Sequence, residues 1–481
     1  MTQKMNRRKF LALAGSVAGA GVVAACATPT PQVIEKVVTV EKEKIVEKKV
    51  EVIQTKEVIK EVVKEVPKEV VKQVTPTPGP KLLVWGPRHF IQAQNDYWTD
   101  SILLTAAYNG FSTDVQLFPW GDYNQKQLAA IEAKNTPDLC LGVDPVRYNA
   151  MGVLQEVPDI YKEVADSGGG FYQDKIDSVT IGGKIWAVPF HSEPQIMYYR
   201  SDVLKELGIE KTPMTTADFL TFAQKATKPD QKMWGWGNTF GNVPDGNNGF
   251  YPWMWAFGGK MQDKQGNITV NSPETLAALT FYCDLLTKYK VSPAGVTGWD
   301  DTGNNKAYLS GQIASIFNSG SIVNTMKTTD PALLAKTVFG PVPGEKGGPA
   351  TFAGGSYYGL FTFNTKAAPQ AKTLIKGSMS KERYPGNLNA ANPMFVPVLK
   401  DYANLPLFKN DPVLAQIASL LQYAKVFQYD GEPQAWISDM GAQWKISEMT
   451  SRVVVDGWTP QKALEDFAKQ AEASKAKFAK K

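Results

Sequence analysis

From residue 81 onward, apolar and polar positions fall into short strands alternating with longer helices. Leu82 to Trp85 is an apolar run of the length of one buried strand, 81–85. Residues 96–109 read as a helix, and 113–118 alternates, with Val115 and Leu117 on one face, as a second strand. Residues 124–135 form a helix with Leu128, Ala129 and Ile131 inward, and 138–143 a third strand. This β-α-β-α-β order predicts an α/β fold with a mostly parallel, doubly wound sheet and helices on its faces. Such sheets bind ligands beyond the C-terminal ends of their strands. The segments 86–89, 119–123 and 144–148 are therefore candidates, with Trp85, Arg88, Trp120, Asp144 and Tyr148 as the side chains of interest.

The stretch GGKIWAVPFHSEPQIMYYRSDVLKELG, residues 182–208, organises the rest. An apolar run at 185–188 stops at Pro189, a polar segment carries His191, Glu193 and Pro194, and a second apolar run occupies 196–199. Ser201 is placed to cap a short helix over 202–207 that Gly208 ends. Two strands separated by a polar crossing mark a chain passing from one lobe to another, where a ligand cleft forms. A chain of 481 residues is also too long for one ordinary core. Downstream, a helix starts at Thr215 and Thr216 with Phe219, Leu220, Phe222, Ala223 and Ala226 as its stripe. Residues 232–259 are rich in Gly, Asn and aromatics, among them Trp253 and Trp255. Ser272-Pro273-Glu274 opens a long capped helix. Strands are expected at 339–343 and 357–363, and Trp458-Thr459-Pro460 opens the last helix, whose Lys/Ala-rich end from 471 is expected to fray.

The pattern before residue 81 is different. Asn6 to Leu11, with Arg7 and Arg8, resembles a twin-arginine export motif, followed by an Ala/Gly-rich apolar run to Ala25. Val23-Ala24-Ala25-Cys26 resembles a lipobox, which makes Cys26 the expected lipidation site; an ordinary cleaved signal is the alternative. Residues 33–74 are built almost wholly from Val, Ile, Lys and Glu, with apolar pairs spaced at close to helical period and Pro67 interrupting. Two readings stand: a charged, poorly ordered spacer, or a coiled-coil stalk that brings chains together as an oligomer.

Composition narrows the function classes. The net charge of +5 comes from interleaved lysines and glutamates, with no basic stripe, so nucleic acid is not an expected partner. No nucleotide-binding glycine motif and no nucleophile elbow occurs. The two histidines, His89 and His191, lack metal-ligand spacing, so neither a metal, another cofactor nor enzymatic catalysis is expected. Cys140 and Cys283 sit in apolar patterns and read as small buried hydrophobes without a disulfide. Twelve tryptophans stand out, because an indole either fills a core or offers a flat apolar face to a ligand.

Gly183, Lys184, Trp186, Pro189, Tyr198, Tyr199, Asp202, Leu204, Gly208 and Ile209 together carry a family signature. Over residues 81–481 the chain resembles the bacterial extracellular solute-binding proteins of the sugar type, the maltose-binding-protein-like receptors of ABC importers. Phe257-Gly258-Gly259 and Tyr308 to Ala314 extend the match; Arg200 departs from it, as does Asn318 to Ser321, where the family often has an aromatic residue. The resemblance implies two lobes closing over a carbohydrate, with hinges near 190–194, 343–355 and 386–395. Together with the export and lipobox patterns, which make 1–25 a signal peptide and 26–80 an anchored tether, it predicts a first lobe of 81–190 and 355–388 and a second of 191–354 and 389–481. The expected ligand residues are Trp85, Arg88, Trp120, Asp144, Glu193, Trp253, Trp255, Trp299, Asp300, Gly354, Gly355 and Ser356. Aromatic faces would stack on the sugar and the charged groups would bind its hydroxyls. Glu193 alternatively reads as a hinge or surface carboxylate. The implied partners are permease subunits and, through the lipid anchor, the outer face of the cytoplasmic membrane; ligand sensing for a membrane signalling partner is the alternative to transport, and a glycan-acting secreted enzyme a third reading.

Overall fold

The computed structural model describes residues 81–479. The expectations for the export signal, Cys26 and the tether lie outside the described residues. Strands β1 (Lys81–Arg88), β2 (Ser112–Pro119) and β3 (Leu139–Leu141) alternate with helices Gln92–Tyr108 and Trp120–Glu132. β1 pairs in parallel with both neighbours. Leu82 and Val84 alternate inward from β1, and Trp98, Ile102 and Ala106 meet them at helical spacing. β4 (Thr180–Ile181) and β5 (Lys184–Ile185) form a minimal hairpin across Gly182 and Gly183. Both glycines have positive φ, 60° and 74°, as a tight hairpin turn requires.

The expected break at Pro189 does not occur. Residues 188–200 form one strand, β6 (Val188–Arg200). Its first half pairs antiparallel with β9 (Thr351–Gly359), and its second half with β7 (Ser315–Ser319) and β8 (Thr337–Gly340). The register slips between Pro189 and His191, a bulge that accommodates a residue lacking an N–H. β9 also meets β3, antiparallel, and pairs in parallel with the short β10 (Ala424–Lys425). One eight-stranded sheet, with main order β2-β1-β3-β9-β6-β7, thus runs through both lobes.

Apolar packing divides the lobes along the length of β6 and β9. Val188, Phe190 and Tyr358 belong to the first-lobe core, whereas Met197, Tyr199 and Phe352 belong to the second. The crossings therefore fall within β6 and β9 themselves. Ala391, Met394, Phe395, Val398 and Leu399 pack with the first lobe, so the third passage lies between Phe408 and Val413, later than 389. In the second lobe, helix Thr216–Ala226 is capped by Thr215, and helix Pro273–Thr287 by Ser272, whose Oγ accepts from the Thr275 N–H at 3.2 Å. The short helix after β6 spans Ser201–Glu206, so Ser201 lies inside it instead of capping it. The end of the chain does not fray at 471. Helix Pro460–Ala479 continues, with Ala463, Leu464, Phe467, Ala471 and Ser474 buried along one face. Burial of Leu464 and Phe467 contributes about 1.5–3 kcal/mol each, and beyond them the Ser474 hydroxyl donates to Asp439 Oδ2 at 2.9 Å, which ties down the later turns.

Candidate functional site

A cavity of about 1080 Å³ lies between the lobes, beyond the C-terminal ends of the first-lobe strands. Its first wall is built by the segments that leave those strands. β2 ends at Pro119, and Trp120 opens the next helix with its ring half-buried, edge-on to Tyr123 at 6.0 Å and to His89 at 5.7 Å. After β3, Asp144 caps helix Pro145–Ala150. Its Oδ1 accepts from the Val146 and Arg147 N–H groups at 3.0 Å each, and Tyr148 donates to Gln127. Burial raises the Asp144 carboxyl above its ordinary range, against those bonds and the Arg147 charge. The floor is the crossing pair, with Glu193 of β6 opposite Gly354 of β9.

The second wall is rich in carboxylates and amides. Asp245 donates its backbone N–H to Asp301 Oδ1 at 2.9 Å, and Asn304 donates to Asp245 Oδ2 at 2.9 Å. Burial pushes Glu193 up to about 7, with the Asp301 charge adding and a Ser319 hydrogen bond opposing. Burial likewise takes Asp301 up to about 6 and raises Asp245 well above its usual value, Asp301 contributing to the latter. None of the three makes an ion pair among the described residues. Carboxylates held this way are matched by hydrogen-bond donors, and a polyhydroxylated ligand is a dense source of them. Trp444, Phe427 and Tyr429 supply aromatic surface to this wall. Trp444 sits at φ 54°, a left-handed conformation uncommon for a bulky residue and concentrated at binding sites.

Of the twelve expected ligand residues, the structure brings Trp120, Asp144, Glu193, Gly354, Gly355 and Ser356 to the cavity. The others lie elsewhere. Trp253 and Trp255 are buried in the second-lobe core on helix Pro244–Phe257, Trp253 against Phe219 at 5.1 Å and Trp255 stacked on Phe352 at 6.4 Å. Trp85 packs edge-on to Phe118 at 5.1 Å in a first-lobe core. Arg88 is exposed and donates to the Leu117 carbonyl at 3.3 Å. Trp299 packs against the second-lobe cores. Asp300 is exposed and tied to Thr302 and Lys306, while its neighbour Asp301 faces the cavity. Sequence reasoning missed Asp245, Asp301 and Trp444. Only the Trp-Asp-Asp order at 299–301 carried a signal, one residue out of phase.

Neither histidine is set for metal. His89 is held down to about 3 by burial, and His191 stacks on Phe395 at 3.4 Å between ring centres, its own value lowered chiefly by burial. No group of three or more His, Cys, Asp or Glu side chains is arranged to hold a metal ion among the described residues. Cys140 and Cys283 are buried free thiols.

Two lobes threaded by a continuous sheet, with a polar and aromatic cavity between them, define a two-lobed solute-binding protein. The chain belongs to the bacterial extracellular solute-binding protein family, whose model matches residues 104–416. A protein of Deinococcus radiodurans described as "Probable ABC transporter-binding protein" is 27% identical over 219 residues, 43% of this chain and 51% of the relative. The match thus spans about half the length of that relative. The lactose-binding protein of Rhizobium radiobacter is 26% identical over 235 residues, 47% of this chain and 52% of the relative. Among solved structures, maltose-bound MalE3 of T. maritima superposes with a TM-score of 0.72 at 21% identity, over 82% of this chain and 99% of that one. A sugar transporter of Arthrobacter chlorophenolicus A6 with bound laminaribiose gives 0.72 at 17% identity, over 82% and 99%. At these identities the likeness is one of fold: family and fold are those of solute-binding proteins.

Proposed function

We propose that this protein captures a carbohydrate, of oligosaccharide size, between its lobes and delivers it to the permease of an ABC importer. The observation that carries this reading is the cavity of about 1080 Å³, with half-buried Trp120 and Trp444 on opposite lobes and Glu193, Asp245 and Asp301 between them. Flat apolar faces stack on the C–H faces of a pyranose while carboxylates accept from its hydroxyls. The cavity exceeds the upper range of ordinary small-ligand pockets, which favours more than one sugar ring. The lactose-binding and laminaribiose-bound relatives support the ligand class. Trp120, Asp144, Glu193 and the Gly354-Gly355-Ser356 segment are the proposed contacts among the twelve expected residues, joined by Asp245, Asp301 and Trp444. We further propose that Cys26 carries the lipid that holds the protein at the outer face of the cytoplasmic membrane, on a tether of residues 26–80.

A thermal-shift screen of the purified protein against mono- and oligosaccharides tests the ligand class. A true ligand at ~100 times its Kd adds about 2.7 kcal/mol of stability. A clear shift with amino acids or peptides and none with any saccharide overturns the carbohydrate assignment.

A further inference from the structure

Away from the crossing strands, one buried ion pair joins the lobes. Arg147 stands on helix Pro145–Ala150 of the first lobe and Asp439 on helix Ala435–Ala442 of the second. Arg147 Nη2 donates to Asp439 Oδ1 at 2.6 Å, and each side chain is only 3% exposed. Every other ion pair among the described residues has both partners in the same lobe, save Lys327–Asp411, whose aspartate lies in the third passage itself. Asp439 is fixed from its own side: Ser474 Oγ and Gln443 Nε2 each donate to Oδ2 at 2.9 Å, and Lys477 Nζ lies 3.5 Å from Oδ1. Ser474 and Lys477 come from helix Pro460–Ala479. Arg147 has less choice, because its Nε and Nη1 are buried without a hydrogen-bond partner among the described residues.

The pair also sits where cleft geometry is set. Asp144, the cap of the Arg147 helix, faces the cavity, and so do Gly441, Ala442 and Trp444 just beyond Asp439. A shift of either helix moves a cleft wall.

We propose that Arg147 and Asp439 form a closing latch, positioning residues that select one closed arrangement of the lobes and so fix the separation of the two cleft walls. When the lobes part, both charges return to water. When they close, both are stripped of it, and the closed state is tolerable only if they meet. A buried pair adds little net attraction of its own, but loss of Asp439 leaves Arg147 buried and unmatched, whereas Asp439 keeps Lys477, Ser474 and Gln443 if Arg147 is lost. The latch therefore acts as a condition on closure: other lobe registrations bury Arg147 without its acceptor. This inference rests on the reading that the lobes open and close over a ligand, and its test uses no ligand.

Spin labels at Q125C and Q265C, exposed positions on the two lobes, report the distance across the cleft in the full chain by double electron–electron resonance. A C26S background leaves only the buried Cys140 and Cys283. The wild type should hold a short-distance population. D439N, which leaves Arg147 buried without its acceptor, should lower the short-to-long ratio by on the order of a hundredfold, and R147M, which removes the charge but leaves Asp439 its own-lobe partners, should lower it by a smaller factor. R147K should regain a substantial share, which a role in packing alone does not explain. Distributions for R147M and D439N equal to wild type overturn the latch, and so does an R147K indistinguishable from R147M. Because no saccharide is present, a failed ligand screen leaves this result untouched.

Discussion

Glu193, Asp245 and Asp301 line the cavity without an ion-pair partner among the described residues, and the consequences can be read in pH. Glu193 titrates at about 7 in the folded protein, chiefly through burial, against an ordinary value of 4.5. A folded carboxyl that holds its proton more tightly than the unfolded one contributes stability at low pH. That contribution declines as pH rises through the window from 4.5 to 7. Asp301, raised from 3.8 to about 6, works in the same direction at lower pH. The ligand-free protein should therefore melt at lower temperature at pH 8 than at pH 5. Glu193→Gln should change nothing near pH 4 and stabilise the empty protein by about 1–3 kcal/mol at pH 8, one pKa unit being ~1.4 kcal/mol. In calorimetry at pH 8 the same variant should lose about 1–3 kcal/mol of saccharide binding, the range for hydrogen bonds to charged groups. Equal shifts in Tm at pH 4 and pH 8 would remove the electrostatic role assigned to Glu193. The position of Glu193 at a polar crossing was visible in sequence. The clustering of Asp245 and Asp301 beside it was not, because those residues come from separate segments joined only by folding.

β6 and β9 are the elements on which the site depends. In sequence, β6 looked like two strands, because Pro189 and Pro194 cannot donate to a ladder and the residues between them are polar. Its continuity comes from a partner some 160 residues downstream, with Glu193 opposite Gly354 and Ser192 opposite Gly355. That partner must be slim. A Cβ on Gly355 would come within 2.5 Å of the His191 carbonyl oxygen, which belongs to backbone and cannot swing away. Gly355→Ala should force the two strands apart and cost about 1–3 kcal/mol, as overpacking does elsewhere. Urea unfolding measures it, and an unchanged midpoint would mean that the crossing pair yields without strain. Helix Pro244–Phe257 carries the complementary lesson. Its run of aromatics looked like binding surface, but it is buried on nearly every side, and Trp253 and Trp255 serve the core.

At the scale of the whole molecule, a stretch with the sequence pattern of an export leader, a charged repetitive segment and a two-lobed binding unit succeed one another along the chain. Among the described residues no helix is long and apolar enough to cross a membrane. In the proposed arrangement attachment falls to Cys26. Cys26→Ser should leave export intact and move the protein from the membrane fraction to the soluble one, as fractionation and immunoblotting will report. Retention in the membrane fraction would refute the lipid anchor. Deleting residues 27–79 should leave saccharide affinity unchanged, since that segment's Val, Lys and Glu offer no sugar-binding chemistry.

What the sequence by itself determined is local or periodic. The alternation of strands and helices from Lys81, the caps at Thr215 and Ser272, and the crossing around Glu193 all arise from spacing and turn chemistry within a few residues. The ordered signature around residues 183–209 was enough to indicate the family. Tertiary structure decided which tryptophans meet the cavity, which of two adjacent aspartates turns inward, and where the chain passes between lobes for the third time. It also decided that the Lys/Ala-rich end is a helix packed along one face, whose Ser474 and Lys477 hold Asp439. The reason is physical: a side chain's exposure and partners are set by surfaces brought together from distant parts of the chain, and periodicity fixes only which face of an element it occupies.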